Sequence, residues 1–201
     1  HTGGNQHMAE TGAIVVAHEN VRSRLLAGRP AMGSMPASPG VTGKALPVVT
    51  FSEGVTFHWN KQTVDVKHVV PSHTDGDSFI IFKPANVIHT GDVFVNSGYP
   101  FIDTNSGGNI HGFITNTKTL LTLMDADTVI IPGHGPLATK ADVEEFLRVL
   151  ELAVKRIGDL KAAGTSVAAI IEKKPMAEFD EQWGQGFMKP DRFITSVYNG
   201  L

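Results

Sequence analysis

The chain has no cysteine among its 201 residues. It therefore forms no disulfide, offers no thiolate to a metal and has no cysteine nucleophile. Because cysteine-free proteins occur on either side of a bacterial membrane, the compartment stays open. The chain also lacks the run of ~18 apolar residues that a membrane span needs. Its net charge of −3 provides no basic face for nucleic acid. We therefore expect a globular protein with neither a nucleic-acid nor a membrane partner.

Hydrophobic periodicity predicts alternating strands and helices along the chain. The predicted strands cover residues 12–17, 46–51, 55–59, 63–70, 78–82, 87–90 and 128–131. The predicted helices cover residues 21–27 and 109–124, residues from Thr139 onward, a short segment ending at Glu172, and residues from Pro190 onward. The strands within residues 46–70 are predicted to form an antiparallel meander. This order predicts a layered α/β sandwich in one domain, residues 1–201.

Three predicted strands are each followed by a residue that can bind a metal. His73 follows in "VVPSHTDGDS", Asp92 in "NVIHTGDVF" and His134 in "VIIPGHGP". Strand ends hold loop side chains rigidly, and imidazoles with a carboxylate suit zinc, iron or manganese. Taken singly, a loop histidine such as His73 is more often only a polar residue, and Asp92 fits a simple β-turn. Only the His134 segment favours a functional role by itself. Taken together in this order, the three residues predict a metal site.

The loops around these residues contain further candidates. Asp75 and Asp77 are interpreted as turn residues whose carboxylates bond nearby backbone amides. Tyr99 and Phe101 either line the mouth of a pocket or pack their loop onto the sheet. Residues 32–41 form a loop rich in glycine, proline and serine that we predict to act as a lid.

The sequence resembles the metallo-β-lactamase-fold hydrolases. "HTGGN" at residues 1–5 is similar to the last histidine of the family's His-x-His-x-Asp-His motif and the residues after it. His73, Asp92 and His134 are similar to later family ligands. The resemblance implies an αββα sandwich, of which this chain holds the C-terminal portion and lacks the N-terminal strand-rich portion. It also implies that His1, His73, Asp92 and His134 bind metal, with Asp92 bridging two ions.

The resemblance implies a dinuclear, zinc-type hydrolase, with iron or manganese as alternative metals. The expected substrate contains an ester, thioester, lactone or β-lactam bond, which a metal-bound hydroxide attacks. Because the other family ligands would precede His1, we expect this chain alone to be inactive or impaired. The alternative is a non-catalytic remnant, or one part of an assembly completed by an N-terminal segment or by further copies of the chain.

Overall fold

A computed structural model describes residues 2–31 and 36–201 of the chain. The chain divides into two compact units, His1–Val55 and Thr56–Leu201. Of the predicted lid loop, residues 32–35 lie outside the described residues. In the part of the chain that the structure describes, no helix has the length and apolar character needed to cross a membrane.

In its described residues, the first unit contains two α-helices and a two-stranded sheet. Its elements are α1 (Asn5–Glu10), β1 (Val16–His18), α2 (Glu19–Ala27) and β2 (Val49–Phe51). β1 and β2 are parallel, with Val16 opposite Val49. The predicted strand at residues 46–51, which corresponds to β2, is expected in an antiparallel meander. That prediction is wrong, because β2 pairs with β1 in parallel. α2 and the loop after it form the long crossover that a parallel pair requires.

The second unit is built on a five-stranded sheet. Its strands are β3 (Gly54–Trp59), β4 (Gln62–His68), β5 (Ser78–Phe82), β6 (Val87–Gly91) and β7 (Val129–Pro132), adjacent in that order. β5 is antiparallel to both β4 and β6, whereas β7 is parallel to β6. Asn60 and Lys61 both have positive φ between β3 and β4, as a tight two-residue hairpin turn requires.

Helices flank this sheet. They are α3 (Ile110–Leu123), α4 (Lys140–Ala162), α5 (Val167–Lys173), α6 (Ala177–Trp183) and α7 (Pro190–Gly200). The Asn109 side chain caps α3 by accepting hydrogen bonds from the amides of His111 and Gly112. Thr139 and Asp142 form the predicted capping box at the start of α4. Helices α1 and α6 are not predicted by the hydrophobic pattern of the sequence.

Aromatic side chains join the helices to the loops of the sheet in one core. Phe146 of α4 contacts Phe94 edge-on, with ring centroids 5.0 Å apart. Phe193 of α7 stacks on Tyr99 at 4.3 Å. These contacts anchor the loop after β6 between helices. The predicted mixed α/β class is confirmed.

Candidate metal centre

In the second unit, three of the predicted metal ligands follow strands that run in the same direction. They are His73, Asp92 and His134. β5 is antiparallel to its two neighbours, so β4 and β6 point the same way, and β7 is parallel to β6. Asp92 follows β6 directly, His134 follows β7 after one glycine, and His73 lies in the loop after β4. The carboxyl ends of these strands therefore bring the three side chains to one edge of the sheet.

Asp92 lies between the two imidazoles. Its Oδ2 is 3.6 Å from His73 Nε2 and 3.4 Å from His134 Nε2. These separations exceed those of ordinary N–H···O hydrogen bonds. They match the spacing of about 3.4 Å between two ligand atoms that share one tetrahedral cation at ~2.1 Å. The side chains of His73 and Asp92 are mostly buried, whereas that of His134 is 55% exposed.

The described residues do not complete a metal-ligand set by themselves. Within residues 2–31 and 36–201, no group of three or more His, Cys, Asp or Glu side chains is arranged to hold a metal ion. Asp92 thus forms two pairs with ligand-like spacing, while the three donors together do not enclose an ion. The fourth predicted ligand, His1, lies outside the described residues.

Asp77 lies on the opposite side of the His73 ring from Asp92, next to the ring nitrogen Nδ1. Its Oδ1 is 3.4 Å from His73 Nδ1, so the two ring nitrogens face different carboxylates. Thr74 donates to Asp77 from its backbone N at 2.7 Å and from its hydroxyl at 2.8 Å. The predicted turn, in which the Asp77 carboxylate bonds a nearby amide, is confirmed. The contact with His73 was missed, although the spacing of four residues between the two side chains offered a signal.

The carboxylates around His73 raise the pKa of its imidazole. Burial disfavours the imidazolium, but the hydrogen bond and charge of Asp77, with the charges of Asp92 and Asp103, outweigh burial and raise the pKa of His73. Burial likewise disfavours the charged form of the Asp77 carboxyl group and by itself would raise its pKa. Its hydrogen bonds from His73 and Thr74 nevertheless hold the pKa of Asp77 below its usual value.

Buried contacts from α3 hold the loop that carries His73. The Asn116 side chain donates to the Val70 carbonyl at 2.7 Å and to the Ser72 hydroxyl at 3.0 Å. The Ser72 hydroxyl in turn donates to Asp77 Oδ2 at 3.2 Å. A continuous set of hydrogen bonds therefore runs from α3 to the carboxylate that faces His73.

The glycines beside His134 have different roles. Gly135 has φ of +101°, a conformation that side chains other than glycine rarely adopt. A Cβ on Gly133 would overlap Asp92 Oδ1 and would crowd the backbone N of Asp92 at 2.8 Å. Gly135 therefore permits the turn after His134, and Gly133 leaves room for the Asp92 carboxylate.

Tyr99 and Phe101 lie in different surroundings. Tyr99 is buried, and its hydroxyl donates to Asp180 Oδ1 at 2.9 Å. Phe101 is only partly buried, and its ring centroid lies 6.0 Å from that of His73. Of the two interpretations made from sequence, loop packing describes Tyr99, and Phe101 lies beside the candidate centre.

Comparison with solved structures identifies the fold. A metallo-β-lactamase from Pontibacter korlensis matches with a TM-score of 0.59 and 18% identity, over 75% of this chain and 63% of that one. The B3 metallo-β-lactamase BLEG-1 matches with a TM-score of 0.56 and 18% identity, over 71% and 69% of the two chains. The chain has the metallo-β-lactamase fold. The resemblance inferred from the sequence motifs is therefore confirmed for the fold.

A third solved structure that this chain resembles contains a metal. TTHA1623 in a di-iron-bound form matches with a TM-score of 0.53 and 23% identity, over 70% of this chain and 67% of that one. No protein-family model matches the sequence, and no curated protein sequence does. This chain spans 63% of the length of the Pontibacter protein.

Proposed function

We propose that the chain is a metal-dependent hydrolase domain of the metallo-β-lactamase fold. The observation that supports this proposal best is the placement of two imidazole Nε2 atoms, from His73 and His134, within 3.6 Å of one Asp92 oxygen. The arrangement lies at the carboxyl ends of the strands, where α/β folds place their ligands. The metal of TTHA1623 adds support, because that protein has the same fold.

In this proposal His73, Asp92 and His134 contribute ligands, together with His1. Bound there, zinc, iron or manganese would polarise a substrate carbonyl and lower the pKa of a water molecule. The dinuclear zinc form is the specific proposal, in which Asp92 bridges the two ions. The proposed substrate is a small molecule with an ester, thioester, lactone or β-lactam bond.

The surrounding residues would prepare the site. Asp77 holds the orientation of the His73 ring through Nδ1, which leaves Nε2 to face Asp92. Gly133 leaves the space that the Asp92 carboxylate occupies. The Phe101 ring lies beside the His73 ring.

A second candidate function is suggested by the incomplete ligand set of the described residues. In this alternative the chain does not hydrolyse substrate by itself. It contributes Asp92 and its neighbours to a centre that a complementing segment or a further copy of the chain completes. The two candidates differ in whether the isolated chain turns over substrate, because both require Asp92 to bind metal.

Metal analysis followed by turnover assays tests both candidates. The chain is loaded separately with zinc, iron(II) or manganese(II), desalted, and its metal content measured by mass spectrometry. We expect bound metal in the wild type and in Asp159→Asn, whose carboxylate pairs with Lys155 on the exposed face of α4. We expect a loss of metal in Asp92→Asn. Absence of metal from the wild type would overturn the first candidate, because that candidate requires this chain to hold the metal with its own residues.

The loaded chain is then assayed with one ester, one thioester, one lactone and one β-lactam. Turnover that Asp92→Asn abolishes and Asp159→Asn retains supports the hydrolase. Stoichiometric metal binding without turnover of any of the four substrates favours the second candidate.

A further inference from the structure

A surface cavity of about 260 Å³ lies along the first turns of α7. Its lining combines one cation, one anion, two hydroxyls and two apolar side chains: Phe101, Met188, Asp191, Arg192, Thr195 and Ser196. None of these residues is a predicted metal ligand. Phe101 belongs to this lining and also lies beside His73, so the cavity borders the candidate metal centre.

Aromatic rings connect the centre to the cation of the cavity. The rings of His73 and Phe101 are 6.0 Å apart between centroids. Phe101 contacts the exposed ring of Phe187 edge-on at 5.9 Å. Arg192 Cζ lies 5.2 Å from the centroid of Phe187. A largely apolar surface therefore leads from His73 to a guanidinium.

Arg192 differs from the other arginines of its unit. Arg148 binds Glu145, and Arg156 binds Glu178. Among the residues that the structure describes, Arg192 has no ion-pair partner, and its guanidinium contacts the aromatic ring of Phe187. Arg192 is exposed and is one of the residues that line the cavity. Such a guanidinium can bind a carboxylate through two parallel hydrogen bonds.

We infer that this cavity binds the carboxylate end of the substrate's acyl chain, with Arg192 as its anchor and Phe101 against the apolar stem. The inference rests on the proposed hydrolytic function, whose substrate class it narrows to acyl compounds with a remote carboxylate. Phe101 and the buried Met188 accept a methylene stem, and Ser196 brings a hydroxyl to the same wall. Asp191 lies on the cavity as well, so its charge selects against ligands with two anionic groups at this end.

Direct binding of glutarate tests the cavity without any need for catalysis. Glutarate has a carboxylate at each end of a short methylene chain, so that one carboxylate is available to Arg192 while the other lies at the opposite end, away from Asp191. Glutaramide, the diamide, is its uncharged counterpart. The chain is first depleted of metal and desalted, so that the carboxylate has no metal to bind. Each compound is then titrated while the amide resonances of residues 101 and 187–196 are followed by NMR.

We expect saturable binding of glutarate and none of glutaramide. Arg192→Gln should weaken glutarate binding by ~tenfold or more, because the two charge-assisted hydrogen bonds are lost. Arg192→Lys should recover part of the affinity, and Asp191→Asn should tighten binding. Lys155→Gln is the matched control, since it removes one positive charge from the exposed face of α4 and should leave binding unchanged.

Equal glutarate affinity in the wild type and Arg192→Gln would overturn the inference, and so would binding of inorganic phosphate in place of glutarate. The result is separable from that of the proposed function. If glutarate binds through Arg192 but the metal-loaded chain hydrolyses none of the substrates, the carboxylate site is supported and the proposed hydrolytic function is overturned. If the metal-loaded chain hydrolyses neutral esters while glutarate does not bind, the hydrolase stands and the cavity assignment fails.

Discussion

His73 Nδ1 and Asp77 Oδ1 face each other at 3.4 Å within one loop, while His73 Nε2 faces Asp92 from the opposite side of the ring. The imidazole is thus held between two carboxylates. One of them, Asp77, is fixed by hydrogen bonds from Thr74 and Ser72. A histidine whose far nitrogen is held in this way presents its other nitrogen in a defined direction, which is what a metal ligand requires.

Replacement of Asp77 should weaken metal binding without removing any proposed ligand. We expect Asp77→Asn to lower metal affinity by roughly 10- to 100-fold, the usual effect of losing the carboxylate behind a ligating histidine. Competition with a chromophoric chelator measures this affinity. Asp127→Asn, at an exposed position before β7, is the control and should stay within twofold of the wild type. Equal affinities for both variants would contradict a positioning role for Asp77.

Addition of one methyl group at Gly133 should disrupt the site. The Cβ of Gly133→Ala would overlap Asp92 Oδ1 and lie 2.7 Å from the Gly91 carbonyl carbon. Because backbone as well as side-chain atoms must shift, we expect a loss of metal and a decrease of about 1–3 kcal/mol in the free energy of unfolding. Urea denaturation and metal analysis measure the two effects.

Gly158→Ala provides the matched control for that substitution. Gly158 lies inside α4, and its added Cβ would meet a Leu201 side-chain atom at an ordinary 3.5 Å. Alanine should therefore raise the unfolding free energy by roughly 0.5–1 kcal/mol through helix propensity. A Gly133→Ala variant as stable as Gly158→Ala would show that the space beside Asp92 is not restrictive.

Asn116 should stabilise the loop that carries His73. Its buried side chain bonds the Val70 carbonyl and the Ser72 hydroxyl, and α3 is anchored to that loop through these bonds. We expect Asn116→Ala to lower the unfolding free energy by about 1–3 kcal/mol, because buried polar groups lose their partner. Asn199→Ala, at an exposed position of α7, should change it by less than about 0.5 kcal/mol. Similar stabilities of the two variants would argue against the anchor.

The Tyr99 hydroxyl should make stability depend on alkaline pH. Burial raises the pKa of Tyr99, and the hydrogen bond to Asp180 raises it further. Since the folded pKa exceeds the unfolded value of about 10, its contribution is complete below pH ~10 and decreases as pH rises above that value. Denaturation between pH 8 and about 11 should therefore show a smaller decline in Tyr99→Phe than in the wild type. Parallel declines would contradict the prediction.

Local sequence patterns predicted several elements correctly because their signals lie within a few residues. The Thr139 and Asp142 capping box marks the start of α4, and the strand at 78–82 matches β5. β2 was assigned to the wrong sheet, since its partner β1 lies about thirty residues earlier and no local signal identifies it. The two interpretations of Tyr99 and Phe101 could be separated only by their surroundings, because both are aromatic residues of one loop.

The sequence by itself determined the donor residues and their positions after strands. β-branched runs end at glycine or proline before Asp92 and His134, and this local chemistry predicts a strand followed by a turn. Only the tertiary structure decided that these side chains lie close together and that Asp77 contacts His73 Nδ1. It also decided that Phe101 and Phe187 lie between His73 and Arg192. The reason is physical: β4, β6 and β7 share a direction because each is hydrogen-bonded into one sheet, and β6 pairs with a strand that lies far from it along the chain.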